Sequence, residues 1–277
     1  MLGTFVEISA GGMPPRKLHE QISEAYEEIE KVQSLMSFHD SQSEVSRLNR
    51  EAHRHSVAVH PWTYRVLKTA LKISRQTRGR FDCAVGDSLI RMGYLPGRKN
   101  QYRRSGSFKD IRLLASNRVK FNKPLMIDLG GIAKGFAVDC AVRFLKRRGI
   151  PWGCVNAGGD LRVFGKKAQK IYLRLPGSPQ TLIELRKLKE KAISTSGIYF
   201  SRRENFHRQV SPMIAPKEKT PFLGRESVSV IAATCMIADA LTKAVMLAKK
   251  RRSSVLALFK ACAVILVADA KKEENEH

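Results

Sequence analysis

Two spacings of apolar residues divide the chain into predicted elements. Thr4 to Ala10 alternates polar and apolar positions with the period of a half-buried strand, and GGMPP (Gly11 to Pro15) ends it with turn chemistry. From Leu18 onward Ile22, Ala25, Ile29, Val32 and Leu35 recur three and four apart, which predicts an amphipathic helix ending near Met36. The polar stretch SFHDSQSEVSRLN (Ser37 to Asn49) reads as a loop leading into a short helical turn, and a further helix runs from Pro61 to Thr77 with Gly79 past its end. A basic connector with glycine and serine, Pro96 to Lys109, marks a boundary between two lobes or a surface loop. Beyond it the pattern predicts a strand at Leu125 to Leu129, a helix from Ala133 to Arg148 stopped by Gly149, and strands at Trp152 to Asn156 and Leu161 to Phe164. The order implies an α+β (mixed α/β) protein without internal repeats.

The apolar stretch Val228 to Ala248 raises the question of a membrane span. Asp239 and Lys243 lie at its centre, and each would cost about 2.5–3.5 kcal/mol in a bilayer, so it reads as a strand followed by a half-buried helix and not as a transmembrane segment.

With 277 residues the chain can bury a large core, as one big domain or two lobes in close contact; a 43% hydrophobic and 27% charged composition excludes a disordered or fibrous chain. The formal net charge of +25, from 50 Lys+Arg against 25 Asp+Glu, would draw any polyanion. The basic residues are dispersed over Lys146 to Arg148, Lys166 to Lys170, Arg186 to Lys191 and Lys249 to Arg252, without an extended arm or an aromatic-basic repeat. That dispersal favours solvated surfaces over a dedicated nucleic-acid partner. Cys83, Cys140, Cys154, Cys235 and Cys262 stand singly in apolar stretches and read as buried free thiols. The opening MLGTFVEISA lacks the build of a secretory signal, so the chain as written reads as cytoplasmic.

Candidate chemistry clusters at polar junctions. DLGGIAKGFAVD (Asp128 to Asp139) puts two glycines and a lysine between a predicted strand and helix, which suits either phosphate binding at a helix start or a tight turn with unusual backbone angles. NAGGDLRVFG (Asn156 to Gly165) repeats the glycine pair between two strands, and STSG (Ser194 to Gly197) reads as a third polar turn of the kind that lines phosphate nests. Asp239, Thr242 and Lys243 share one helix face, where they can hold Mg²⁺ through oxygen ligands or form an Asp239–Lys243 ion pair.

These segments, together with LGTFVEI, SFHDSQSEVSRLN, RFDCAVG and TCMIADALTKAV, resemble in order and separation the motifs of the ApbE-type FAD:protein FMN transferases over nearly the whole chain. The resemblance implies one ApbE-like domain over residues 1–277, with FAD bound between two lobes, for which the connector near 96–109 is the candidate boundary. It further implies Mg²⁺-dependent transfer of FMN to a Thr or Ser hydroxyl of an acceptor protein, with release of AMP. Carried over by position, Phe38, Arg80, Phe81, Asp82, Asp128, Lys134 and Met213 would contact FAD. Gly131, Asp239 and Thr242 would hold the metal, and Asp239 and Lys243 would be catalytic. Members are often exported or lipid-anchored. Four positions depart from the family pattern: Lys243 replaces a Thr, Pro212 the His proposed as base, Ala215 an Asp, and Ile198 the acidic or polar residue that follows STSG. Lys243 would weaken metal binding or partly replace the metal with its ammonium group, and His207 is a candidate substitute base. FAD hydrolysis, with water replacing the hydroxyl, and FAD binding without catalysis are the alternatives.

Overall fold

The structure is a computed structural model that describes residues 1–97, 106–198, 203–205 and 208–267. His207 and most of the Pro96 to Lys109 connector lie outside the described residues.

A six-stranded antiparallel sheet organises the chain: β1 (Val6–Gly11), β2 (Trp152–Ala157), β3 (Asp160–Gly165), β4 (Ala192–Gly197), β5 (Glu226–Ala232) and β6 (Cys262–Val267) lie side by side in sequence order. The helices are α1 (Pro15–Met36), α2 (Glu44–Glu51), α3 (Pro61–Gln76), α4 (Gly86–Arg91), α5 (Ala133–Arg147) and α6 (Cys235–Ala248). Helices α5 and α6 pack on the sheet and on each other, and α1 packs on α5. Alternate residues of a strand point to opposite faces. Thus Val228 and Val230 of β5 join the main core, whereas Ile231 joins a smaller cluster with Val163, Ile193 and three residues of the hairpin Gln169–Leu188: Ile171, Leu173 and Leu188. The sheet is covered on both faces, which explains why β5 reads as a continuous apolar run. The main core is one cluster, with residues such as Val45 and Leu67 before the connector and Phe136 and Leu241 after it.

Local signals explain the helix starts. Pro14 and Pro15 open α1, and Ala25, Ile29, Val32 and Met36 form its buried stripe. Ser43 accepts the Ser46 N–H at 3.1 Å to cap α2, and Pro61 follows a capping His60 at α3. Helix α5 stops at Gly149, whose φ of +78° is left-handed.

Four expectations need correction. Leu125 to Leu129 is extended and alternately buried, yet it joins no sheet. Its backbone is satisfied instead by Asn49, whose side-chain amide donates to Ile127 O at 3.0 Å and accepts from Ile127 N at 2.8 Å, and by the loop carbonyl of Cys83 bonded to Asp128 N at 2.8 Å. STSG is no turn: Ser194 to Gly197 belong to β4, paired with β5. Helix α6 is buried around nearly its whole circumference because the sheet, α5 and α3 all contact it. Of the thiols, Cys83, Cys140 and Cys235 are buried, but Cys154 is intermediate and Cys262 is exposed.

Candidate active site

A cleft of about 780 Å³ opens between the C-terminal end of α1, the strand-like segment before α5, the end of β4 and the loop after it. Phe38, Arg80, Phe81, Asp82, Asp128, Lys134 and Met213, the seven residues expected at FAD, all line it, and so do Gly131 and Lys243. Asp239 and Thr242 do not: both are 0% exposed and lie beneath the floor. Its apolar lining includes Met36, Phe81, Leu89 and Met213, and Lys134 and Lys243 bring charge to it.

The two glycine pairs work differently. Gly130 and Gly131 are absent from the left-handed φ region, so unusual backbone angles do not explain them. A Cβ at Gly131 would stand 3.5 Å from Phe81 Cε2 and 3.6 Å from Lys243 Cε; only a longer side chain would intrude into the cleft. Gly158 and Gly159, at φ +60° and +95°, form the two-residue connection of the β2–β3 hairpin, where both central residues need positive φ. A third glycine, Gly135, sets the depth of the floor. A Cβ there would come within 2.3 Å of Cys235 O, so its absence lets α5 and α6 approach until the Gly135 N–H reaches Asp239 Oδ2 at 3.1 Å.

At the floor, two carboxylates and two ammonium groups meet. Lys134 Nζ lies 2.5 Å from Asp160 Oδ2 and 3.9 Å from Asp239 Oδ2. Lys243 Nζ bonds Asp239 Oδ1 and, at 3.0 Å, the Asp239 main-chain oxygen. Ser194 donates to the other oxygen of Asp160. Burial pushes the Asp239 carboxyl up, but Lys134 and Lys243 outweigh it and hold the group below the ordinary carboxylate range. Asp160 goes the other way, raised by burial and then by the Asp239 charge, against the pull of Lys134. Lys134 stays charged: burial works against its ammonium, and Asp239 and Asp160 more than compensate. Asp128, whose Oδ2 accepts the Gly130 N–H at 3.1 Å, is raised by desolvation, as is Asp82, which accepts from Ala84 N and Phe108 N at 2.8 and 3.0 Å.

Two of the three expected metal donors, Asp239 and Thr242, do not fit Mg²⁺ in this arrangement. Such an ion requires near-octahedral oxygen ligands at about 2.0–2.1 Å. Both oxygens of Asp239 are taken by Lys243 and by Gly135 N–H, and Thr242 Oγ1 donates to Asp239 O at 2.7 Å while pairing with Ser196 Oγ at 2.7 Å. Among the described residues no group of three His, Cys, Asp or Glu side chains could hold a metal ion. Of the two readings of this helix face, the structure contains the Asp239–Lys243 ion pair, here buried.

Three residues at the site were not singled out from sequence. Asp160 follows the second glycine pair directly, and only the fold brings it to Lys134. Asn49 closes the SRLN motif and holds the segment that carries Asp128. Lys219 donates to Ala84 O at 2.8 Å and Gly106 O at 2.9 Å, tying the strip that carries Pro212 and Met213 to the opposite rim; burial lowers its pKa. Pro212 itself lines the cleft and offers no proton acceptor.

Comparisons with known proteins bear on the whole of this arrangement. A protein of Vibrio cholerae named FAD:protein FMN transferase is 28% identical over 245 residues, which cover 83% of this chain and 73% of that protein. One of Buchnera aphidicola with the same name is 26% identical, covering 96% of this chain and 83% of the relative. Among solved structures, the flavin transferase ApbE from Vibrio cholerae superposes with a TM-score of 0.80 at 26% identity, covering 97% of this chain and 91% of that one. The ApbE protein of Thermotoga maritima gives 0.80 at 29% identity, covering 96% and 92%. A profile described as the ApbE family matches residues 2–266, which takes in the cleft and all of the sheet but the last residue of β6, and the chain therefore belongs to the ApbE family.

Proposed function

We propose that the cleft binds FAD and that the protein transfers its FMN portion to a Thr or Ser hydroxyl of an acceptor protein, releasing AMP. The observation that carries this reading is the convergence of seven expected residues from four separate segments on one cleft lined by charged and apolar side chains. The names of the relatives support the transfer of FMN from FAD to protein.

In this reading the acceptor oxygen attacks the phosphorus on the FMN side of the pyrophosphate, a new P–O bond forms, and the bond to the bridging oxygen breaks, so AMP leaves with that oxygen. Such chemistry depends on positioning and on neutralising charge on the phosphoryl oxygens. Lys134 and Lys243 line the cleft and supply cations, and Phe38, Phe81 and Met213 supply apolar contact for the ring systems. No step is routed through Mg²⁺, because two of its three expected donors, Asp239 and Thr242, are already paired. Asp128 lines the cleft, and its raised carboxyl suits it to accept the hydroxyl proton that Pro212 and Ala215 cannot take.

Incubation of the full chain with FAD and an acceptor domain tests this directly. Transfer gives a fluorescent acceptor band in a denaturing gel. Free FMN in solution would replace this reading with FAD hydrolysis, and intact bound FAD would replace it with a binding role.

A further inference from the structure

We propose that the Lys243 ammonium takes the place of a divalent cation on the cleft floor, so that this protein binds the pyrophosphate of its dinucleotide without a metal ion. The inference rests on the reading that the cleft takes FAD.

The argument begins with where the lysine lies. Its Cε stands 3.6 Å from the position a Cβ on Gly131 would occupy, and its Nζ bonds both a carboxylate oxygen and the main-chain oxygen of Asp239. The ammonium therefore sits among the backbone and carboxylate groups that would have to converge on a cation. Charge leads to the same conclusion. Asp160 and Asp239 are matched by Lys134 and Lys243, which leaves the floor no net negative charge to draw a dication from water.

Donor counting says what the ammonium offers instead. Lys has three N–H donors. Two go to Asp239 Oδ1 and O, and the third remains for a ligand; the side chain is 19% exposed and reaches the cleft. A charge-assisted hydrogen bond to a pyrophosphate oxygen is what that donor can make. Lys134, bonded to Asp160 and 3.9 Å from Asp239 Oδ2, also lines the cleft and provides a second cation on the same floor.

The test uses the full chain with FAD and with Mn²⁺ as the metal probe. In the unaltered protein, FAD affinity followed by flavin fluorescence should be the same in excess EDTA as in Mg²⁺, and a paramagnetic-resonance titration should show no stoichiometric Mn²⁺ with FAD bound. Lys243→Thr should weaken FAD binding in EDTA by roughly tenfold to a hundredfold, recover it with Mg²⁺, and bind one Mn²⁺. Stoichiometric Mn²⁺ in the unaltered protein, or FAD affinity that collapses in EDTA, would overturn the inference while leaving the proposed function standing. Should Lys243→Thr not fold, the titrations of the unaltered protein decide alone. Absence of FAD binding under every condition would remove the proposed function itself and this inference with it.

Discussion

Lys134, in the first turn of α5, places its ammonium 2.5 Å from Asp160 at the head of β3 and so fastens a helix start to a hairpin under the cleft. Removing one member of such a buried pair leaves an uncompensated charge. Lys134→Met should therefore destabilise the protein by about 3–5 kcal/mol in denaturant titrations and abolish FAD binding. The double variant Lys134→Met/Asp160→Asn should regain stability without regaining FAD; if the second change restores no stability, the pair is not what holds this junction.

The acid limb of stability should carry the signature of Asp239. Its folded pKa lies below the ordinary 3.8, so the stability it contributes is complete above 3.8 and is lost as pH falls through the lower folded value. Asp160, with a raised folded pKa, acts oppositely: its folded form gains relative stability as pH falls toward 3.8. Urea titrations down a pH series should show the gap between the native protein and Asp239→Asn narrowing only below 3.8. A gap that stays constant to pH 2, or about that, would refute this assignment.

Asn49→Ala should leave both Ile127 N–H and Ile127 C=O without their partner in a buried place. The expected loss is about 1–3 kcal/mol for each unsatisfied group, accompanied by a weaker cleft because Asp128 is the next residue along. Asn49→Asp, which keeps the acceptor but sets a buried carboxylate against Ile127 C=O, should be at least as destabilising as Asn49→Ala at neutral pH and should recover as pH falls and the carboxyl takes up a proton.

Gly135→Ala adds one methyl where the nearest atom, Cys235 O, would be 2.3 Å away and belongs to backbone. Overpacking of this kind costs about 1–3 kcal/mol, and here it also pulls the Gly135 N–H away from Asp239. Thermal unfolding within a degree or so of the native midpoint would show that α5 and α6 can separate freely.

Thiol accessibility gives an inexpensive check on the packing. Burial pushes the Cys140 and Cys154 thiols up to about 12 and raises Cys83 and Cys235 well above their ordinary value. Cys262 is exposed on the edge strand β6. Alkylation of the native protein followed by peptide mass mapping should modify Cys262 first and leave Cys83, Cys140 and Cys235 unmodified until denaturant is added.

Much of the architecture was legible in sequence because it depends on local chemistry: Pro61 at a helix start, Gly149 past a helix end, and the three- and four-residue spacing in α1, although its start at Pro15 was hidden in what read as turn chemistry. The strand predicted at Leu125 to Leu129 shows where local pattern stops being informative. Alternating burial is real there, but hydrogen-bond partners are chosen by the fold, and an asparagine 78 residues away took the place of a neighbouring strand. STSG misled for a related reason, since small hydroxyl residues are at home both in turns and on a strand between two others. At the site, Asp239 and Lys243 could be placed together because they share a helix face, whereas Lys134 and Asp160 meet only through the β2–β3 hairpin.

Asp139 of α5 accepts the Cys235 and Met236 N–H groups at the start of α6, each at 3.0 Å, and pairs with Arg162 of β3 at 2.5 Å. The bonds to α6 span 96 and 97 residues of chain. Such long loops close late, because their entropy must be lost before any contact rewards it. On a ribosome, α5 and the hairpin can form while α6 is still unsynthesised, and during that interval Lys134 and Asp160 exist without Asp239 and Lys243. The floor of the cleft is thus a product of the last stage of biosynthesis, and a chain released before α6 would lack Asp239 and Lys243 together with the core residues of α6 and β5.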